Sequence, residues 1–181
     1  MRTRKPSKAL THLDVSFLFD AWHRARHMGL PLNILITARP DGVDRLAINE
    51  RCRIFLRIKK NYTEFARRHG FPPTFLWTRE ISTTGTGEHL HLLCHAPSPL
   101  VARLMACAER WLPGPCEMDA RRASQAMRRH PRGKLRSAIT YIVKQMTSQA
   151  AFRRPYSRRP GGTIHGDRCG ASHNLRKGRI R

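Results

Sequence analysis

The order of strand-like and helix-like segments between residues 34 and 120 constrains the fold of this chain more than any other feature of its sequence. Short runs of β-branched and apolar residues predict strands, and apolar residues spaced three or four apart predict helices. In chain order these patterns give strand, helix, strand, strand, helix and strand. Because a glycine-rich turn at residues 82–87 joins the two middle strands, we expect them to pair as an antiparallel hairpin.

This order is the split βαβ arrangement of ferredoxin-like folds, so we expect an α+β protein whose helices cover one face of an antiparallel sheet. The chain divides into a basic arm and helix (1–32), a central domain (33–149) and a basic, flexible tail rich in arginine, glycine and proline (150–181). The predicted helices lie at residues 15–27, 49–69, 97–111 and 135–149, and the predicted strands at residues 33–37, 74–81, 88–95 and 116–120.

The net charge indicates the class of partner. Lysine and arginine number 35 and aspartate and glutamate 12, which gives a net charge of +23 at pH 7. Such a charge destabilises the compact state unless a polyanion neutralises it, which favours nucleic acid. A membrane partner is disfavoured, since the sequence has neither ~18 consecutive apolar residues nor a convincing amphipathic helix or lipid anchor. Five arginines are candidates for contacting the nucleic-acid backbone: Arg121, Arg122, Arg128, Arg129 and Arg132.

The cysteines indicate a reducing compartment. The chain has five, an odd number, with no Cys-x-x-Cys pair, so neither a disulfide framework nor a structural zinc site is expected. The first eight residues are basic and are not followed by the apolar segment of a secretory signal. Together these features predict a cytoplasmic protein.

Two histidines on the third predicted strand are the sharpest candidates for chemistry. Side chains alternate along a strand, so His89 and His91 point to one face while Leu90 and Leu92 point into the core. Two imidazoles about 7 Å apart on one face can bind a single cation. Glu80 ends the preceding strand, and the hairpin brings it close to this pair. The three side chains predict a divalent metal site with open positions for water or a phosphate oxygen.

A tyrosine and a lysine on the last predicted helix form a second candidate group. Tyr141 and Lys144 are three positions apart, so a helix places them on one face. A phenol is a nucleophile for phosphoryl transfer, and a nearby ammonium stabilises phenolate or phosphate charge. The same spacing also fits a core tyrosine beside a solvated lysine. The position of the pair after the histidines and beside a basic connector favours the chemical interpretation.

These motifs, in this order, resemble those of HUH-type single-strand DNA endonucleases, in particular rolling-circle replication initiators with one catalytic tyrosine. His89-Leu-His91 resembles the His-hydrophobic-His metal motif of the family, and Glu80 stands where these initiators have an acidic third ligand. Tyr141-Ile-Val-Lys144 resembles the Tyr-x-x-Lys nucleophile motif.

The resemblance covers roughly residues 33–149, which it identifies as an HUH endonuclease-like catalytic domain. Residues 34–37 loosely resemble the first-strand motif of the family. The chain departs from many members because it lacks room for a helicase domain, and from others because it has one candidate tyrosine instead of two.

The resemblance implies metal-dependent, site-specific nicking and joining of single-stranded DNA, which initiates rolling-circle replication of a plasmid or phage. It implies Mg²⁺ or Mn²⁺ on the three metal ligands, a 5′-phosphotyrosyl intermediate on Tyr141 and a charge-offsetting role for Lys144. The expected partners are single-stranded DNA, an origin hairpin and, as further candidates, host replication proteins. Two alternatives stay open: a single-tyrosine transposase of the same superfamily, and a non-catalytic RRM-like nucleic-acid-binding protein. The absence of an RNP-type aromatic pair counts against the second.

Other chemically capable residues are assigned to packing. Trp77 is expected in the core rather than stacked on a base, and Tyr62 on the apolar face of the second helix. Cys94 has the opposite strand parity from His91, which predicts a buried thiol. His95 is left out of the metal set because it lies at the end of its strand, where the register is not fixed.

Overall fold

A computed structural model of the chain describes residues 6–112, 116–125, 137–151 and 160–176. The helices are α1 (His12–His27), α2 (Ile48–Arg68), α3 (Val101–Ala108), α4 (Ala138–Ile142) and α5 (Ser148–Ala151), and the strands are β1 (Ile34–Pro40), β2 (Phe75–Glu80), β3 (His89–Cys94), β4 (Cys116–Arg122) and β5 (Cys169–Ala171). Single turns of 3₁₀ helix lie at Val43–Arg45, Ser98–Leu100 and His173–Leu175. Within these ranges no helix has the length and apolar character needed to cross a membrane.

The strands form one antiparallel sheet in the order β4-β1-β3-β2-β5. This confirms the predicted α+β class and is consistent with a ferredoxin-like, split βαβ arrangement. β2 and β3 form the expected hairpin, which places Glu80 opposite His89 and Thr78 opposite His91. On the other side of β3, β1 places Thr37 opposite His91. The central strand therefore carries both histidines between two neighbouring strands.

Helices pack on both faces of the sheet, so the expectation of a single covered face is wrong. The first face carries Ile36 and Leu92 and packs against α2 and α3. The second face carries Leu35 and Leu93 and packs against α1 and α4. The cause is that apolar residues of both parities occur in β1 and β3, so each strand buries side chains on both sides. His91 has the parity of Leu93 and lies on the second face.

Local sequence signals set the ends of the two long helices. α1 begins at a capping box: the Thr11 hydroxyl accepts a hydrogen bond from the Asp14 amide (3.2 Å), and the Asp14 carboxylate accepts one from the Thr11 amide (3.0 Å). α2 is followed by Gly70, whose left-handed backbone (φ 72°) ends it as a C-terminal glycine predicts. The two helices then cover opposite faces of the sheet.

The C-terminal segment, residues 160–176, is part of the fold, which corrects the expectation of a flexible tail over residues 150–181. It contains β5, which pairs with β2 at the edge of the sheet. Beyond β5, the Ser172 amide donates to the Phe75 carbonyl (2.9 Å), and the Phe75 amide donates to the Ser172 hydroxyl (3.0 Å). Ile164 and Leu175 of this segment are buried. The sequence does not reveal this strand, because three residues are too few to show strand alternation within a segment rich in arginine and glycine.

The last predicted helix is shorter than its apolar spacing indicates. α4 ends before Lys144, and α5 begins only after it. Between them the chain pairs with Leu10, whose amide donates to the Gln145 carbonyl and whose carbonyl accepts from the Thr147 amide, each at 2.9 Å. Lys144 therefore does not lie on the helix that carries Tyr141, and helical spacing does not bring the two side chains together.

Candidate metal centre and active site

The β2–β3 hairpin places three candidate metal ligands in one cluster. Glu80 is the last residue of β2 and pairs with His89, the first residue of β3. His91 lies two positions further along the same face. His89 Nε2 and His91 Nε2 each lie 3.4 Å from Glu80 Oε2, and the three ligand atoms all lie within 4.8 Å of one another. The structure thus brings together the predicted set, and this cluster could hold a metal ion.

The other ring nitrogen of each histidine is held by a neighbour. His89 Nδ1 donates to the Gly87 carbonyl (2.9 Å), and His91 Nδ1 lies 2.9 Å from the Thr37 hydroxyl on β1. With Nδ1 protonated in both rings, the lone pairs of Nε2 face Glu80, which is the tautomer that metal ligation requires. Thr37 belongs to the first-strand motif, yet its partnership with His91 follows only from the register of β1 against β3.

The cluster is buried, and its charge suits a cation. Glu80 is 2% exposed and His91 is 0% exposed. Burial favours the neutral acid, but the neighbouring imidazoles of His91 and His89 and the Lys144 ammonium outweigh it and hold the pKa of Glu80 well below its usual value. Burial lowers the pKa of His91 to about 4, and the Glu80 carboxylate only partly opposes this shift. At neutral pH the cluster offers a carboxylate and a neutral His91 imidazole.

The donor set fits a divalent ion that keeps open coordination positions. Two imidazole nitrogens and one carboxylate oxygen suit first-row divalent metals, and carboxylates also suit Mg²⁺ and Mn²⁺. The second carboxylate oxygen, Glu80 Oε1, is buried and has no hydrogen-bond partner among the described residues. Coordination by both carboxylate oxygens would satisfy that atom. The residues present therefore fit a divalent metal ion.

Tyr141 and Lys144 both contact the metal-ligand cluster. The Tyr141 ring packs edge-on against the His91 ring, with centroids 5.1 Å apart. The Lys144 ammonium forms an ion pair with Glu80 Oε2, lies 3.4 Å from His91 Nε2 and lies 3.9 Å from the centre of the Tyr141 ring. Tyr141 and Lys144 therefore lie together at the site as predicted, although they do not share a helix as predicted. α4 positions Tyr141, and the segment that follows α4 positions Lys144.

Two of the five arginines predicted to contact nucleic acid lie on β4. Together with Thr37 and Tyr141, Arg121 lines a cavity of about 150 Å³ on the second face, and its guanidinium forms an ion pair with Asp119. Arg122 is exposed at the end of the strand. The positions of the other three fall outside the described residues: Arg128, Arg129 and Arg132.

The residues assigned to packing are buried outside the candidate site, as predicted. Trp77 lies in the core of the first face. Cys94 is buried on the same face, where burial raises the pKa of its thiol. Tyr62 is fully buried, and its hydroxyl donates to the His95 carbonyl (2.8 Å). The imidazole Nδ1 of His95 donates to the Pro31 carbonyl (2.8 Å), so this histidine stabilises the segment that connects α1 to β1.

Similarity to known proteins does not contribute to the argument for function. Scans against protein-family models, curated proteins and solved structures found no match to the chain. The proposal that follows therefore rests on the geometry of the site and on the motifs in the sequence.

Proposed function

We propose that the protein is an HUH-type endonuclease that nicks and rejoins single-stranded DNA through a covalent bond to Tyr141. The observation that carries this proposal is the contact between the Tyr141 and His91 rings, 5.1 Å apart. A phenol, a buried ligand set for a divalent ion and an ammonium group thereby meet on one face of the sheet. The net charge of +23 supplies the attraction for a polyphosphate substrate.

In the proposed reaction Tyr141 attacks the phosphorus atom of a phosphodiester in single-stranded DNA. The bond between Tyr141 Oη and phosphorus forms, and the bond between phosphorus and the 3′ oxygen breaks. The phenol proton is released and the 3′ oxygen takes up a proton, which leaves a 5′-phosphotyrosyl enzyme and a free 3′-hydroxyl. Because one phosphate ester replaces another, attack by a 3′-hydroxyl on the phosphotyrosyl bond rejoins DNA without ATP.

The residues around Tyr141 have separate roles in this step. Glu80, His89 and His91 would hold Mg²⁺ or Mn²⁺, which supplies Lewis-acid polarisation of a phosphate oxygen. Lys144 stabilises the phenolate, since its ammonium lies 3.9 Å from the centre of the Tyr141 ring. A free phenol ionises only at about pH 10, so a nucleophile of this kind needs such help at neutral pH.

The biological role that we assign to this activity is initiation of rolling-circle replication of a plasmid or phage. Nicking creates a 3′-hydroxyl that can prime synthesis, and the covalent bond keeps the 5′ end for rejoining. An origin hairpin would present the single-stranded target within duplex DNA, and host replication proteins would extend the primer.

Trapping of the covalent intermediate tests the proposal. Purified protein is incubated with Mn²⁺ and a labelled library of hairpin oligonucleotides with randomised single-stranded arms, and adducts that survive boiling in SDS are resolved on a gel. The unmodified chain is expected to form the adduct and Tyr141→Phe to form none, because phenylalanine lacks the attacking oxygen. Tyr62→Phe is the matched control: its hydroxyl donates to a core carbonyl away from the site, so this variant is expected to form the adduct.

The other outcomes of this experiment are informative as well. An adduct that persists in Tyr141→Phe would place the nucleophile on another residue. Tight binding of the library without any adduct, in Mn²⁺ and in Mg²⁺, would support the non-catalytic RRM-like binder instead. Oligonucleotides recovered from the adduct would reveal whether the preferred site resembles a replication origin or a transposon end.

A further inference from the structure

Arg168, in the C-terminal segment, is a buried cation that the proposed chemistry does not use. It is 4% exposed, and burial lowers the pKa of its guanidinium to about 10, which leaves it charged at neutral pH. Its hydrogen bonds in the described part of the chain go to neutral oxygens of three residues: Ser7, Gly162 and Gln145. A buried charge is costly unless hydrogen bonds satisfy it, so this guanidinium depends on all of these acceptors staying in place.

The acceptors of the Arg168 side chain come from parts of the chain that are distant in sequence. Its guanidinium donates to the Ser7 carbonyl (2.7 Å), to the Gly162 carbonyl (2.8 Å) and to the Gln145 side-chain oxygen (3.2 Å). Gln145 directly follows Lys144 in the chain. One side chain therefore ties the N-terminal region and the C-terminal segment to the stretch that carries Lys144.

Gln145 also forms a hydrogen bond with the β2–β3 hairpin, which holds the candidate metal ligands. Its side-chain nitrogen donates to the carbonyl of Ile81, the residue after Glu80 (2.9 Å). The backbone of Arg168 is tied to the same strand, because its carbonyl accepts from the amide of Arg79, the residue before Glu80 (2.7 Å). Arg168 is thus joined to the strand that ends in Glu80 and to the segment that carries Lys144.

The close packing around Gln145 leaves little room for another arrangement. A Cβ atom on Gly161 would overlap both the Ile81 carbonyl and the Gln145 side chain. Glycine at this position therefore allows the C-terminal segment to pack directly against these two residues. The stretch at residues 144–147 lies between α4 and α5, and at its end the Thr147 carbonyl accepts a hydrogen bond from the Ala151 amide of α5 (2.8 Å). Its position depends on the contacts with Leu10, Ile81 and Arg168.

We propose that Arg168 is a positioning residue, which fixes residues 144–147 so that the Lys144 ammonium stays against Glu80 and Tyr141. We call the hydrogen bonds from Arg168 to Gln145 and from Gln145 to the Ile81 carbonyl the clamp. Its effect on catalysis rests on the proposed function, whereas the clamp itself is a property of the fold. The C-terminal segment is then required for the chemistry although none of its residues touches the reacting atoms.

Amide hydrogen exchange tests the clamp without any activity. Arg168→Lys keeps the charge, but an ammonium has three donors and no planar fork, so it cannot serve the four acceptor atoms that Ser7, Gly162 and Gln145 offer to the guanidinium. Exchange at residues 144–147 is expected to be about tenfold faster or more, with the central strands β1 and β3 unchanged. The matched control is Arg24→Gln, which loses a hydrogen bond to the Leu175 carbonyl (2.9 Å) in the same C-terminal segment without affecting Gln145.

Unchanged exchange at residues 144–147 in Arg168→Lys would overturn the proposal. Should Arg168→Lys fail to fold, Gln145→Leu removes the Gln145 bonds to Arg168 and to the Ile81 carbonyl and leaves the remaining hydrogen bonds of Arg168 in place. This variant is expected to show the same local increase in exchange, and normal protection at residues 144–147 would equally contradict the clamp.

Single-turnover adduct formation measures the catalytic consequence. At saturating DNA and Mn²⁺, Arg168→Lys is expected to lower the rate by about tenfold or more. In a Lys144→Met background the same change is expected to alter the rate by less than about twofold, because its effect passes through Lys144. Equal losses in the two backgrounds would contradict a positioning role. Absence of the adduct in the unmodified chain would contradict the proposed function. The exchange experiment would still show whether Arg168 fixes residues 144–147.

Discussion

Two threonines flank His91 at the scale of single residues, and only one of them is placed to orient this candidate metal ligand. Thr37 on β1 and Thr78 on β2 both lie opposite His91, and both are buried. The Thr37 hydroxyl lies 2.9 Å from His91 Nδ1, whereas the Thr78 hydroxyl has no hydrogen-bond partner within the part of the chain that the structure describes. Substitution of each threonine in turn therefore separates the effect of orienting the His91 ring from the effect of side-chain volume beside it.

We expect Thr37→Val to weaken Mn²⁺ binding by about tenfold or more, because His91 loses the partner that fixes its ring and its tautomer. Thr78→Val makes the same change on the other side of His91. It is expected to leave the Mn²⁺ affinity within about twofold and not to lower the free energy of unfolding, since a buried unpaired hydroxyl is itself costly. Calorimetric titration measures both affinities, and equal losses in the two variants would contradict the role of Thr37.

The buried imidazole of His91 predicts how stability depends on pH in the presence of EDTA. Burial lowers its pKa from 6.5 to about 4, so between these values the unfolded chain binds more protons at this position than the folded chain. Stability is therefore expected to fall as the pH drops from about 6.5 to about 4, with up to about 3 kcal/mol from this residue. Glu80, whose pKa is also held low, adds a loss in the same direction at lower pH.

Urea unfolding at a series of pH values measures this dependence. His91→Gln is expected to flatten the decrease between pH 6.5 and 4, because its side chain does not titrate. His27→Gln changes an exposed histidine at the end of α1 and is expected to keep the full decrease. A His91→Gln protein with an undiminished decrease would show that other groups cause the pH dependence.

The metal-ligand set could be predicted from the sequence because it depends on two local rules. Strand alternation places His89 and His91 on one face, and a short hairpin brings the end of β2 beside the start of β3. The sequence also predicts that Lys144 lies beside Tyr141, but the shared helix from which this follows is wrong, since Lys144 reaches the Tyr141 ring from an irregular segment. Thr37 and Arg168 act through partners 54 and 23 residues away in the chain, and no local rule predicts such contacts.

At the scale of secondary structure, the short edge strand β5 makes the C-terminal segment part of the folding unit. β5 extends the sheet beside β2, and Ile164 and Leu175 on either side of it are almost fully buried. Burying two such side chains contributes about 3 kcal/mol or more. The hydrogen bonds between Ser172 and Phe75 add to this by fastening the chain beyond the strand.

Truncation tests whether this segment belongs to the folded unit. A chain that ends at residue 159 loses β5 and is expected to be destabilised by about 3 kcal/mol or more, or not to fold cooperatively. A chain that ends at residue 176 keeps every described contact of the segment and is expected to unfold at nearly the same urea concentration as the full chain. A stable, cooperative chain ending at residue 159 would restore the interpretation of this region as an independent tail.

The sequence predicted the long elements well because their patterns extend over many residues. α2 has five buried apolar positions at helical spacing. On either side of a glycine-rich turn, β2 begins with the apolar run Phe75-Leu76-Trp77 and β3 carries Leu90, Leu92 and Leu93. β5 and α4 have three and five residues, which is too few for a periodic signal to exceed chance. Their conformations are set by partners elsewhere in the fold: β5 pairs with β2, and α4 packs against α1.

At the scale of the whole molecule, the charges on the second face indicate how a DNA strand would reach Tyr141 in the proposed reaction. Over β2 and β5 this face is covered by apolar contacts with α1, and α4 packs over β3. Over β1 and β4 it carries charged side chains beside the cavity that Tyr141 lines: Arg39, Glu117, Asp119 and Arg121. We therefore expect DNA to approach across β4. On this route the Asp119 carboxylate, paired with Arg121, opposes binding of the phosphates.

Salt titrations of single-stranded DNA binding test this route. The logarithm of the affinity falls with the logarithm of salt concentration by about 0.7 for each phosphate that the protein neutralises. Arg121→Gln is expected to weaken binding and to reduce this slope by about 0.7, whereas Asp119→Asn is expected to strengthen binding because it releases Arg121 for the DNA. Arg103→Gln removes the same charge from α3, which covers the first face, and is expected to change the slope much less. Equal effects of the changes at Arg103 and Arg121 would show that DNA binds the molecule without regard to face, in which case its path to Tyr141 is not set by β4.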